Sequence, residues 1–242
     1  EYSMGLNSKE DKFWLRLDTE YGDFDLEMTH WNEAMSSMKV AQADYGLGMG
    51  YGISRLHGAL CSGTISGKQI QGTAYFQKVC VQAPSPPWFW GMLHFDDGSY
   101  IDWFLPHISP TITAKDSRQW KNRDFTHYPL SMGGLFHDAG RKRSQKFSEI
   151  RLERTRCENG LPIFHVHMWN GLTEIRIEAK SVTRAHWTFE QPTRGGMKSH
   201  LTYNEYPLEV TRLEIDDELG IRNRKDWRII RGNAEHSWGL LH

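Results

Sequence analysis

Alternation with a period of two runs through most of this chain, and it constrains the fold more than any other feature. In "FWLRLDTEYGDFDLEM", Phe13, Leu15 and Leu17 share one face. Phe24, Leu26 and Met28 follow after Tyr21-Gly22-Asp23, which together read as a hairpin. "GLGMGYGISRLHGALCSGTISGKQIQGTAYFQKVCV" carries glycines every few residues, with Ser66-Gly67 as a two-residue turn. Glycine at that frequency in strands marks bulges and bends. Alternation resumes in "KFSEIRLERTRCENGLPIFHVHMWNG" and continues through "EIRIEAKS", "AHWTFEQ", "HLTYNEYPLEVTRLEI" and "DWRIIRGNAEHSW". No amphipathic helix of more than three turns stands out. The chain reads as all-β.

Between Ser109 and Lys146 the alternation fades into Pro, Gly, His and charge, with one helical turn expected near Asp116–Trp120. This stretch reads as a long connection, residues 109–146, between two β units of barrel or sandwich type at 1–108 and 147–242. Lys+Arg number 29 against 30 Asp+Glu, which argues against a general nucleic-acid binder. No window approaches eighteen apolar residues, so no transmembrane helix is expected. The chain begins at Glu1 rather than Met, which leaves a removed signal peptide open. Cys61, Cys80 and Cys157 lack metal-site spacing, and Cys61–Cys80 is the one candidate pair. "GLGMGYG" lies among strands, so its glycines serve backbone geometry rather than phosphate binding. "RKR" at 141–143 reads as a solvated loop.

Three of the ten tryptophans, with three phenylalanines and a tyrosine, crowd into "PSPPWFWGMLHFDDGSYIDWFLP". A two-residue turn at Asp97-Gly98 would set Phe95 opposite Tyr100 and Leu93 opposite Asp102. One face would then carry Trp88, Trp90, Met92, His94, Ile101, Trp103 and Leu105, and the other Phe89, Leu93, Phe95, Tyr100, Asp102 and Phe104. Both faces are apolar, so the hairpin is covered on both sides. It is either a buried central hairpin or the lining of a lumen for an apolar ligand. Asp102 among Leu93, Phe104 and Phe89 would find donors or stay protonated, and a protonated acid can protonate an alkene.

His165 and His167 alternate on one strand face with Ile163 and Trp169, a pattern that can chelate zinc. No spacing identifies a third ligand, so neither metal nor cofactor is expected. Tyr203 and Glu205 share a strand face, whereas the neighbours Glu235 and His236 cannot.

The stretches "GTAYF", "PPWFWGMLHFDDGSYI", "YNEYPLEV" and "EHSWG" together resemble the AttH and carotenoid 1,2-hydratase (CrtC-type) group of lipocalin-like proteins. The resemblance covers residues 60–105 and 195–242. It implies two lipocalin-like barrels in tandem and a lyase or isomerase acting on an apolar substrate. In the hydratase pattern an acidic-His element belongs to the first half, where this chain has Tyr75-Phe76-Gln77-Lys78. At the "EHSWG" element, Ala234 stands where a leading His is expected.

The expected function is cofactor-independent acid–base chemistry on an isoprenoid-like or other apolar small molecule: hydration, cyclisation or isomerisation. Its catalytic candidates are Asp102, Glu205, Tyr203, His236 and Glu235. Trp88, Trp90, Trp103, Tyr100, Tyr75 and Phe104 would bind the ligand. A non-catalytic carrier, or a structural subunit in peripheral contact with a membrane, are the alternatives. Oligomeric state is left open.

Overall fold

In the computed structural model, residues 2–6, 12–31, 39–46, 48–81, 86–108, 128–192 and 198–240 are described. The helical turn expected at Asp116–Trp120 lies outside them. Among the described residues the only helical element is a 3-10 turn at Arg224–Asp226, and all else is antiparallel strand or turn. The chain divides into two units, Glu1–Ala83 and Pro84–His242. The boundary expected near residue 108 therefore moves upstream, to the proline-rich approach to Trp88.

Unit 1 contains β1 (Tyr2–Leu6), β2 (Lys12–Thr19), β3 (Gly22–His30), β4 (Lys39–Gly46), β5 (Met49–Ile65) and β6 (Lys68–Val81). The sheet order is β1-β2-β3-β5-β4, with β6 also paired to β5. The first hairpin pairs Phe13 with Met28, Leu15 with Leu26 and Leu17 with Phe24, the face that the alternation marks. Ser66 and Gly67 both have positive φ and turn β5 into β6. The pairing of β5 with β6 shifts register between Leu56 and Ala59, at a glycine-containing bulge. A small core gathers Phe13, Leu56 and Ala59, with Met28 and Phe76 packed on it. Cys61 faces Gly72 and Cys80 faces Gly52. About nine residues at roughly 3.3 Å each separate them along the hairpin, far beyond disulfide reach. Both thiols are free, which corrects the candidate pairing.

Unit 2 begins with the aromatic hairpin β7 (Trp88–Phe95) and β8 (Tyr100–Ile108), followed by β9 (Tyr128–Pro129), β10 (Gly133–Asp138) and β11 (Arg143–Phe147). Then come β12 (Glu149–Arg156), β13 (Pro162–Trp169), β14 (Glu174–Ser181) and β15 (Ala185–Pro192). The last three are β16 (Lys198–Asp217), β17 (Gly220–Asn223) and β18 (Ile230–Leu240). Three strands, β9, β10 and all but the last residue of β11, therefore occupy what the fading alternation marks as a connection. Their alternation is interrupted by Gly133, Gly134 and Gly140, which is why it escapes a pattern reading.

The sheet of unit 2 runs β11-β10-β8-β7-β18-β16-β14-β13-β12, with β15 and β17 added to β16 and β9 to β8. It curls so that Arg154 on β12 lies over the Phe89 ring on β7, 4.6 Å from its centroid. The concave face is filled. Phe89, Leu93, Phe95, Ile101, Trp103, Leu105, Phe136, Met168 and Ile175 all have zero solvent exposure. A side chain with no exposed area borders no water-sized void, so these residues form a packed core and not a ligand lumen.

The hairpin turn explains a difference of one residue. Phe95 pairs with Ser99 through its backbone N–H to the Ser99 carbonyl (3.0 Å), so the loop is the three residues Asp96, Asp97 and Gly98. Only Gly98 has a positive φ, of 89°. A type I′ turn needs two such residues, whereas a three-residue loop needs one. Leu93 accordingly faces Ile101, and Asp102 faces Met92. A one-residue slip exchanges faces. Asp102 leaves the apolar core for the convex face, where it is half-buried.

Gly91 opposes Trp103, whose indole lies flat against it. A Cβ at Gly91 would fall 2.2 Å from Trp103 Cζ2. Gly91→Ala is expected to cost about 1–3 kcal/mol as the buried indole is displaced. The urea midpoint reads this, and an unshifted midpoint would mean that the indole does not pack there.

Candidate functional site

Strand order, more than sequence proximity, assembles the acidic candidates. In the β16-β18-β7-β8 part of the sheet, directly opposed residues share a face. Glu205 faces Glu235, Glu235 faces Trp90, and Trp90 faces Phe104. One row along, Trp187 faces Tyr203 and Tyr203 faces Ser237, next to Trp88. The convex face of unit 2 thus carries Trp88, Trp90, Phe104, Tyr203, Glu205 and Glu235 together. Asp102 and Met92 lie on the same face further along the hairpin, and Tyr100 lies beyond them beside His94.

Hydrogen bonds tie the centre of this group. The Trp88 indole N–H donates to Glu235 Oε2 at 2.9 Å, and the Trp88 backbone N–H donates to Ser237 Oγ at 2.8 Å. The Tyr203 hydroxyl also bonds the Glu235 carboxyl. Asn233 Nδ2 donates to Glu205 Oε1 at 2.9 Å. The Trp88 and Tyr203 rings approach to 6.2 Å. Burial pushes the Glu235 carboxyl above its ordinary value, the bonds from Trp88 and Tyr203 draw it part of the way back, and the adjacent Glu205 charge pushes it up again. The result is a carboxylic acid held toward its neutral form on an aromatic surface. Trp187 (65% exposed) and Phe104 (39% exposed) keep that surface open to an apolar molecule.

The remaining candidates go elsewhere. Trp103 is core, which corrects its place among the ligand-binding residues. His236 has zero exposure and points to the concave side, opposite Glu235; its ring lies 4.5 Å from that of Phe89. Tyr75 belongs to unit 1, where its hydroxyl donates to Gln77. His165 bonds Thr155 (2.9 Å) and lies 3.8 Å from Glu178, while His167 bonds Glu174. Among the described residues no group of three His, Cys, Asp or Glu could hold a metal ion. None of their helices is long and apolar enough to cross a membrane.

Asn233 and Ser237 join the site without having been singled out from the sequence. Both sit at odd positions of the strand that carries Glu235, so period-two spacing from Glu235 is the signal that finds them.

No family model matches the chain, and no curated protein matches it. Among solved structures it is similar to the crystal structure of a Nitrosomonas europaea protein assigned as an AttH. The match has a TM-score of 0.52 and 14% sequence identity, and covers 98% of this chain and 68% of that one. At that identity the likeness shows the fold, which is all-β and lipocalin-like.

Proposed function

We propose that the convex face of unit 2 is the working surface of a cofactor-independent acid catalyst, acting on an isoprenoid-like or other apolar small molecule. The observation that carries this reading is the Glu235 carboxyl, raised by burial and set between the Trp88 indole and the Tyr203 hydroxyl. A neutral carboxylic acid can give its proton to a carbon–carbon double bond. The new C–H bond leaves a carbocation on the substrate, and the faces of Trp88 and Tyr203 favour positive charge. The carboxylate left on Glu235 then recovers a proton. It comes from an attacking water in hydration, or from a carbon next to the cation in isomerisation and cyclisation. Glu205, fixed by Asn233, lies directly across from it and disfavours a second negative charge.

Proton donation to carbon leaves an isotopic record. The full chain is incubated in D2O with a panel of acyclic isoprenoid alkenes, from monoterpenes to carotenes, and the recovered material is weighed by mass spectrometry. One deuteron per product molecule is expected for hydration and cyclisation alike. The exposure of Trp187 and Phe104 also suits a carrier, which would return its ligand bound but unlabelled. That outcome would replace catalysis with transport.

A further inference from the structure

The concave side of unit 2 holds a second polar group that the acid chemistry does not use. Arg154 occupies an inward position of β12, after Ile150 and Leu152, and is 6% exposed. Its Nη1 lies 3.0 Å from His236 Nδ1. Phe89, beneath the guanidinium, stacks at 4.5 Å on both His107 and His236. Arg184 Nε donates to Asn204 Oδ1 at 2.7 Å, and Asn204 Nδ2 donates to the His236 carbonyl at 2.9 Å. The Arg184 guanidinium also lies 6.0 Å from the Trp238 ring and bonds the Tyr206 hydroxyl. These groups converge behind a narrow cleft lined by Arg156, Arg184, Tyr206, Trp238 and the Gly160–Pro162 turn.

We infer that this cleft is a binding site for one small anion, either chloride or the carboxylate end of an organic acid. Arg184 and the Tyr206 hydroxyl would donate to it directly, with the charge of Arg154 behind them. Two guanidinium groups beside a buried phenol favour a negatively charged partner there, and a low-dielectric setting strengthens that attraction. Burial raises Tyr206 to about 12, against the opposing pull of Arg184 and Arg154. The hydroxyl therefore keeps its proton at neutral pH and stays a donor. The open volume is about 10 Å³, room for one water-sized body. A cleft this narrow suits chloride or a single carboxylate oxygen better than the larger, four-oxygen sulfate.

The test follows the thermal midpoint of the full chain against added sodium chloride, acetate or sulfate, with ionic strength held constant by sodium toluenesulfonate. Chloride or acetate is expected to raise the midpoint saturably, and sulfate is not. Acetate binding the tighter would identify the carboxylate of an organic ligand, and chloride the tighter would identify an inorganic ion. Arg184→Gln is expected to weaken the apparent affinity about ten- to a hundred-fold, the range for a hydrogen bond to a charged group. Tyr206→Phe should weaken it roughly ten-fold. Arg156→Gln, on the exposed rim, removes charge without disturbing the core and should also weaken binding. Equal responses to all three anions, no saturable response to any, or wild-type affinity in these variants would overturn the site.

Discussion

Glu235→Gln is expected to lower deuterium incorporation from D2O into an alkene substrate by about a hundred- to ten-thousand-fold, the usual contribution of a positioned general acid. Quenching of tryptophan emission by a bound polyene should be unchanged, because Gln keeps the shape and the Trp88 indole retains an acceptor. The pH dependence has a definite sign. The active form is the neutral acid, so the rate falls as pH rises through the raised Glu235 value. The same shift acts on stability. A carboxyl whose folded value lies above its unfolded one favours folding most below the unfolded value, and this is lost as pH rises through the folded one. Glu235→Gln should therefore be no less stable than wild type at neutral pH. Retention of the full rate would remove Glu235 from the chemistry. If Asp102→Asn loses the rate instead, the acid lies further along the same face.

Phe89→Ala and Trp88→Ala, one residue apart, should behave as opposites. Phe89 has no exposed area and packs against two imidazole rings and the Arg154 guanidinium, so its truncation should cost about 3–5 kcal/mol. Urea unfolding measures that loss. Trp88 is half-buried on the convex face, and its removal should lower stability much less while weakening polyene binding and freeing Glu235 from its indole donor. Comparable unfolding costs for the two would contradict the assignment of core and binding faces.

The all-β class was legible in the sequence because alternation follows from strand geometry itself. The Phe13–Leu17 and Phe24–Met28 hairpin reads directly for the same reason. The aromatic hairpin reads as a hairpin but with the wrong register. "DDG" suits a two-residue or a three-residue loop, and that choice sends Asp102 to one face or the other. The acidic site was legible in its residue types only. Trp88, Tyr203 and Glu235 meet because β18 pairs with both β7 and β16, and no local pattern encodes which strands become neighbours. Arg154 carried a usable signal. It sits two residues after Leu152 and four after Ile150 in "EIRLERTR", at a position where the alternation calls for an apolar side chain. Arg184 and Tyr206 carried none, since their meeting depends on long-range closure.

The placement of β18 also governs when the protein can fold during synthesis. Residues 230–240 form the strand between β7 and β16, so the two flanking parts of the sheet are joined by a strand that is synthesised after the others in that sheet. Until then β7 and β16 each present a bare hydrogen-bonding edge, with the apolar residues of "WFWGMLHF" already exposed. Such edges recruit strands from other chains. The nascent chain is therefore most open to misassembly while β18 is still to be made, and a chaperone that shields β7 until β18 arrives would raise the folded yield.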